Sequence, residues 1–349
     1  MKHKILFCGG GTGGHIVPNV ALMEQLPATE FAFGYLASGE NDKRILAPVW
    51  QNLAFYREIP TVKLQRKWTL QNLKIPFLLK TSIAKAEEAL TEWKPELVFS
   101  KGGYAGLPVC IAAHRQKIPV FLHESDLSMG LSNRISLRFA DRLFTTFDVP
   151  LKTKKQIVTG SPIRQSVRNA SRPKGLYETG FSGVRPLLTV VGGSSGAQIL
   201  NAFVEQNLTD LTKRYDVFLV AGKGKTLAKQ APHFKQTEYT NALLSVLKAS
   251  DAVISRAGSN TVCELVTLNV PTLFVPLQRA SRGEQTKNAA YFCEKGCARM
   301  LNEKDFCLEN VWRELEELRK NKERYQTAMQ KMQIDGTKTI CKEIQSFFA

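Results

Sequence analysis

The sequence predicts an α/β protein made of two doubly wound, Rossmann-like domains. Three observations carry this. Short apolar runs alternate with amphipathic helical stretches, the rhythm runs through the chain twice, and each half opens on a strand that ends in a glycine-rich turn, "KILFCGGGTGGH" and "PLLTVVGGSSGA". At 349 residues the chain also exceeds the usual size of one hydrophobic core.

The elements follow in order. "KILFC" reads as a buried strand, and "HIVPNVALMEQL" as a helix with Ile16, Val20 and Met23 on one face and Pro18 in its first turn. "FAFGYLAS", "ELVFS", "IPVFLHE" and "RLFTTF" are further short strands. From Thr145 to Pro186 the pattern breaks into a Lys-, Arg-, Pro- and Gly-rich stretch, which places the junction near Gly160. The pattern then restarts with "PLLTVV", "YDVFLVAG", "DAVIS" and "VPTLFVPL". The expected domains are residues 1–160 and 161–335.

Composition narrows the class. With 43% hydrophobic and 23% charged residues the chain is a folded protein, not a disordered one. No apolar run is long enough to span a bilayer, and only four apolar residues precede the first glycines, too few for a signal peptide. The expectation is a cytoplasmic protein. Seven scattered cysteines suit reduced thiols; Cys293 and Cys297 lack a second ligand pair for zinc and read as small core side chains. A net charge of +17 predicts attraction to an anion: nucleic acid, acidic lipid or a phosphate-bearing substrate. The basic residues are not interleaved with stacking aromatics and no nucleic-acid module is present, so nucleic acid is not the expected partner.

A glycine turn between strand and helix brings backbone N–H groups and the positive end of a helix dipole against a ligand, which predicts phosphate. Gly9, Gly11 and Gly14 satisfy G-x-G-x-x-G, yet the second strand, "FAFGYLAS", ends without the acid that binds a ribose in dinucleotide enzymes. "GKGKT" (222–226) resembles the end of a P-loop, but Leu219 stands where the motif needs its first glycine. Both nucleotide-cofactor readings are therefore disfavoured, and no cofactor is expected. Other polar clusters stand at strand ends: "SKGGYAG", "HESD", "GSPIR", "SRAGSNTVCE" and "RGEQTKNA". Ser259 in the fourth reads as a helix N-cap.

In order and spacing, "GGGTGGHIVPNVAL", "SKGGYAGLPVCIAA", "FLHESD", "TGSPIR", "VVGGSSGAQILN", "SRAGSNTVCEL" and "EQTKNA" resemble the MurG family. These are membrane-associated glycosyltransferases that convert lipid I to lipid II in peptidoglycan synthesis, with UDP-N-acetylglucosamine as donor. The resemblance spans nearly the whole chain. It implies a GT-B fold, two doubly wound Rossmann-like domains facing across a cleft, with the C-terminal segment 336–349 packing back on the first domain. It also implies a peripheral position on the cytoplasmic face of the bacterial inner membrane, and admits other cell-wall synthesis proteins as partners. A UDP-sugar transferase for another lipid acceptor, such as diacylglycerol, shares the donor-loop motifs; the N-terminal blocks favour lipid I.

The same resemblance distributes the site residues. Ser194 and the backbone of Gly193 to Gly196 would meet the UDP diphosphate, with Arg164. Glu264 would take the ribose hydroxyls, as a carboxylate accepts two donors, and its neighbours Ser259, Asn260, Thr261, Val262 and Cys263 would line the donor. Gln285, with Glu284, would meet the sugar hydroxyls, and Thr240 would stand at the uracil, where an aliphatic residue is usual. Asp126 replaces the family's Asn beside the donor, and Ser195 its Gln. Thr12, Gly13 and Gly14 would reach the donor from the other domain. Gly10, Gly11, Gly102 and Gly103 would cradle the diphosphate of lipid I.

The reaction implied is attack of the acceptor's 4-hydroxyl on the anomeric carbon of UDP-GlcNAc, with inversion. It needs a base near neutral pH, and His15 at the mouth of the first loop is the first candidate, its neutral form favoured by the helix N-terminus beside it. Glu124 is the second candidate base and Tyr104 a positioning residue. No Asp-x-Asp occurs, so no protein-bound metal is expected, and helix dipoles, loop amides and Arg164 would steady the leaving UDP. Finally, "VKLQRKWTLQNLKIPFLLK" (62–80) carries Lys63, Arg66, Lys67, Lys74 and Lys80 without an acid. Leu70, Leu73 and Phe77 share one helical face, Trp68 stands near its start, and Pro76 would kink it. Such a segment suits an anionic membrane surface.

Overall fold

The computed structural model describes residues 1–61, 75–193, 196–278 and 283–349. The chain divides into two compact units, Met1–Gln165 with Asp335–Ala349, and Ser166–Ile334.

Unit 1 begins with β1 (His3–Cys8), α1 (Gly13–Gln25), β2 (Phe31–Ala37), α2 (Asn41–Leu46) and β3 (Leu53–Glu58). It continues through α3 (Ile75–Trp93), β4 (Leu97–Ser100), α4 (Gly103–Arg115), β5 (Val120–Glu124), α5 (Leu131–Ser136), β6 (Arg142–Thr145) and β7 (Gln156–Val158). Among the described residues these strands form one parallel sheet in the order β3-β2-β1-β4-β5-β6-β7. Strand alternation splits the core. Ile5 and Phe7 face one side with Phe33, Phe99, Phe121 and Phe144, while Leu6 and Cys8 face the other with Val98, Leu122 and Leu143. Helix α1 covers the first face with Ile16, Val20 and Met23, the face read from its periodicity. The helix starts at Gly13, so Pro18 lies in its second turn rather than its first and withholds the N–H that would pair with the Gly14 carbonyl.

After the short α6 (Gln165–Arg168), unit 2 runs α7 (Arg172–Thr179), β8 (Leu187–Val191), α8 (Gln198–Arg214), β9 (Asp216–Val220), β10 (Phe234–Thr237) and α9 (Leu243–Ala249). It then runs β11 (Ala252–Ser255), α10 (Ser259–Leu268), β12 (Thr272–Phe274), α11 (Glu284–Glu294), β13 (Arg299–Met300), α12 (Leu308–Lys320) and α13 (Lys322–Lys331). Its sheet is again parallel, in the order β10-β9-β8-β11-β12-β13.

The last helix, α14 (Thr337–Phe348), belongs to unit 1 and buries Ile340, Cys341 and Ile344 in the α1 face of its core. Its approach explains the boundary. The Ile163 N–H donates to the Thr337 hydroxyl at 2.7 Å, the Gly336 N–H to the Ser161 carbonyl at 2.9 Å, and Ser161 bridges Asp335. Residues 161–165 are thereby tied to unit 1, and the division falls after Gln165 rather than at residue 160.

Candidate functional site

In a doubly wound sheet the strand order reverses at one point, where chains leave neighbouring strands on opposite faces and open a crevice at their carboxyl ends. In unit 1 that point lies between the hydrogen-bonded neighbours β1 and β4. The loops that leave it are Gly9–Thr12 and Lys101–Gly102, each leading straight into a helix. In unit 2 it lies between β8 and β11, whose described loop residues include Gly192, Gly193, Gly196 and Arg256–Gly258. The glycine turns that open the two halves of the sequence thus each stand at a switch point, whereas "GKGKT" (222–226) follows β9, away from it.

In unit 1 the two loops pack on each other, and glycine is what lets them. A Cβ on Gly103, at φ +75°, would come within 2.7 Å of the Gly10 carbonyl oxygen and 3.1 Å of the His15 ring. A Cβ on Gly11, at φ +86°, would stand 2.7 Å from the Tyr104 ring. Gly10, Gly11, Gly102, Gly103, His15 and Tyr104 are therefore one cluster. Gly13 and Gly14 form the first turn of α1, whose cap residue Thr12 is extended. The Thr12 hydroxyl is not spent on capping but lies 3.0 Å from His15 Nδ1.

The half-buried His15 has its pKa pushed down to about 4. Burial is the main cause and the Lys101 ammonium the second. In the tautomer whose Nδ1–H donates to the Thr12 hydroxyl, Nε2 keeps a lone pair.

Glu124 ends β5, buried, and its carboxylate accepts the N–H of Asp126 and of Gly130 and the side-chain amide of Asn133, each at 3.0 Å. A carboxylate so occupied holds a loop; it is poorly placed to take a proton. Asp126 is held through that amide. His123 is fully buried, its Nε2 3.1 Å from the Gly160 carbonyl and its pKa well below the usual value through burial and the Lys101 charge.

Lys101, Ser125 and Asn133 were not singled out in the sequence. Lys101 is buried with its ammonium donating to the Ser125 hydroxyl, and Asn133 joins the His123 carbonyl to Glu124. A lysine between a strand and a glycine pair, "FSKGG", was the available signal. Arg164 is half-buried in unit 1.

In unit 2, α10 starts at Ser259 with Gly258 as its cap, so Ser259 is the first helical residue and not the cap it was expected to be. Ser259, Asn260, Thr261 and Glu264 are half-buried. Val262 and Cys263 are instead fully buried, and the Val262 N–H is bonded to the Gly258 carbonyl. Their side chains pack the core. Gln285 on α11 accepts the Leu277 N–H at 3.0 Å through its side-chain oxygen. Thr240 is buried; its hydroxyl donates to Glu178 and accepts the Ala242 N–H at 2.9 Å, so only its methyl or backbone can face a base. Ser194 and Ser195 lie outside the described residues, as does 62–74 of the basic segment. Of that segment's described end, Phe77 and Leu78 are exposed on α3.

The chain matches the glycosyltransferase family 28 N-terminal domain over residues 5–145 and the family's C-terminal domain over 187–344. Fold and family together define a glycosyltransferase of the GT-B class. The crystal structure of Acinetobacter baumannii MurG superposes with a TM-score of 0.77 at 25% identity, covering 99% of this chain and 100% of that one. A calicheamicin glycosyltransferase shares the fold, with a TM-score of 0.75 at 14% identity, over 99% of this chain and 98% of its own. A Bacillus cereus protein named UDP-N-acetylglucosamine–N-acetylmuramyl-(pentapeptide) pyrophosphoryl-undecaprenol N-acetylglucosamine transferase 2 is 38% identical over 98% of this chain and 99% of its own length. A Clostridium botulinum transferase of the same name, without the numeral, is 38% identical over 95% and 94%. The chain belongs to this family of N-acetylglucosamine transferases.

Proposed function

We propose that this protein transfers N-acetylglucosamine from UDP-GlcNAc to the 4-hydroxyl of the N-acetylmuramyl residue of lipid I, with inversion, forming lipid II. The observation that carries the reading is the unit 1 cluster: a neutral imidazole at a helix N-terminus, anchored through Nδ1 on Thr12 and seated against Gly103, between two glycine loops at a switch point. Gly10, Gly11, Gly102 and Gly103 hold the acceptor's diphosphate by their backbone amides. His15 Nε2 takes the hydroxyl proton as the acceptor oxygen bonds to the anomeric carbon and the bond to the UDP phosphate breaks, UDP leaving with the electron pair. Tyr104, packed on Gly11, positions the acceptor, and Glu124 shapes the 126–133 loop.

On the donor side, Glu264 binds the ribose hydroxyls, Gln285 and Glu284 the sugar, and Ser259, Asn260 and Thr261 the nucleotide at the start of α10. Thr240 borders the uracil through its backbone or methyl. Gly193, in the loop after β8, meets the UDP diphosphate through its backbone. Helix N-termini stabilise the charge that grows on UDP, so the reaction runs without a metal bound by the protein.

The acceptor is a lipid, which gives the +17 charge and the 62–80 segment a purpose. Among the described residues no helix is long and apolar enough to cross a membrane. Phe77 and Leu78, exposed beside Lys80, support a peripheral seat on an anionic inner-membrane surface. The test is UDP release from UDP-GlcNAc with and without a short-chain lipid I analogue, in EDTA. Acceptor-dependent release that persists in EDTA supports the reading; release only with diacylglycerol would overturn the acceptor, and loss in EDTA the metal-free chemistry.

A further inference from the structure

The mechanism above leaves Lys101 without a task, although it is 2% exposed and a buried ammonium is costly unless its charge is used or compensated. Its surroundings tie three strand ends together. Its backbone N–H donates to the Cys8 carbonyl at the end of β1 at 3.0 Å, and its Cβ lies 3.3 Å from where a side chain on Gly9 would begin. Its ammonium donates to Ser125, just beyond β5, and Gly102 and Gly103 follow it directly. The residue therefore stands between the two glycine loops of unit 1, with its charge buried beside them on Ser125. It is felt there: it contributes to the lowered pKa of both His15 and His123. Burial alone would be served better by an apolar side chain of the same length.

We propose that Lys101 is a positioning residue for the acceptor's diphosphate, its ammonium held on Ser125 as a fixed positive charge beside the cradle that the two loops form. This rests on the acceptor reading of unit 1. The loop amides make the hydrogen bonds, and Lys101 adds a long-range field from a buried position, where screening by water is weak. A second consequence follows. In the free protein Lys101 helps to keep His15 neutral; when a diphosphate arrives, its negative charge offsets the ammonium and the imidazole becomes a stronger base. Base strength is thereby coupled to acceptor occupancy. Of the other groups near this strand end, His123 has its pKa held well below the usual value, Glu124 accepts from three donors and Asp126 is tied to it by its backbone N–H; after burial, Lys101 is the charge that lowers the His15 pKa.

The test compares the full-length protein with Lys101→Met, Lys101→Arg and Ser125→Ala. Lys101→Met should raise the KM for a short-chain lipid I analogue about tenfold or more, the scale of one charge-assisted contact. It should leave UDP-GlcNAc affinity unchanged and move the acid limb of kcat/KM upward from about 4 toward the usual histidine value. Lys101→Arg should restore much of the acceptor KM, and Ser125→Ala should shift it less, in the same direction. An unchanged acceptor KM and limb in Lys101→Met overturns the proposal, as does an equal loss of donor and acceptor affinity. Calorimetric titration with inorganic pyrophosphate, with UDP saturating, separates this from failure of the acceptor reading. Weaker pyrophosphate binding by Lys101→Met supports the role even if the analogue is no substrate, and equal binding overturns it. If Lys101→Met does not fold, Ser125→Ala and Lys101→Arg decide by the same readouts.

Discussion

The two units use one architectural device for two kinds of work. Both have a parallel sheet whose order reverses beside the first strand, and both lead a glycine loop from that point into a helix. They differ in what surrounds the loops. In unit 1 the loops meet His15, Tyr104 and the buried Lys101, with the His15 pKa displaced to about 4. In unit 2 the described residues around the switch point offer half-buried hydroxyls and amides with one carboxylate, Glu264, over a core of Val262 and Cys263. The contrast teaches that the switch point supplies a phosphate cradle to any such sheet, whereas chemistry requires titratable groups pressed into it. On the proposed reading the proton moves in unit 1 and the nucleotide is held in unit 2.

The sharpest break of that contrast is His15→Ala. It should lower acceptor-dependent turnover by about 10²–10⁴, the usual worth of a general base, with calorimetric UDP affinity unchanged. A mirror-image result is expected from Glu264→Gln: UDP-GlcNAc binding weaker by about tenfold or more through weakened ribose hydrogen bonds, with the acceptor KM intact. Glu124→Gln should act on structure. An amide keeps one acceptor oxygen and turns a donor toward another donor, so denaturant unfolding should show a loss of about 1–3 kcal/mol. Its acid limb in the pH–rate profile should stay where it is in the parent protein; disappearance of that limb would make Glu124 the base.

Much of this was legible in the chain itself. Parallel strands buried on both faces read as apolar runs, so β1, β4, β5, β8 and β11 stand out, and glycines spaced for close backbone approach mark the loops after β1 and β8. What was not legible depends on contacts remote in sequence. Residues 161–165 join unit 1 because Thr337 and Asp335 return to them. Glu124 reads as an acid beside a loop until Gly130 and Asn133 fold back onto it. Lys101 reads as a solvated cation until three strand ends close around it. Ser259 missed its expected role by one position, since Gly258 takes the extended cap conformation itself.

The central claim is that a neutral His15 is the base, and the pH dependence of kcat/KM for the acceptor tests it most directly, because it reports the free enzyme. The sign is set by the downward shift. Between about 6.5 and 4 the unfolded chain takes up a proton that the folded site refuses, so folding stability falls across that window as pH drops, and near-UV circular dichroism must confirm the fold at each point. Within the folded protein the imidazole stays neutral, so kcat/KM should hold through the ordinary histidine range and fall only near 4, with no such limb in the residual activity of His15→Ala. An acid limb near 6.5, or one that survives unchanged in His15→Ala, would contradict the account.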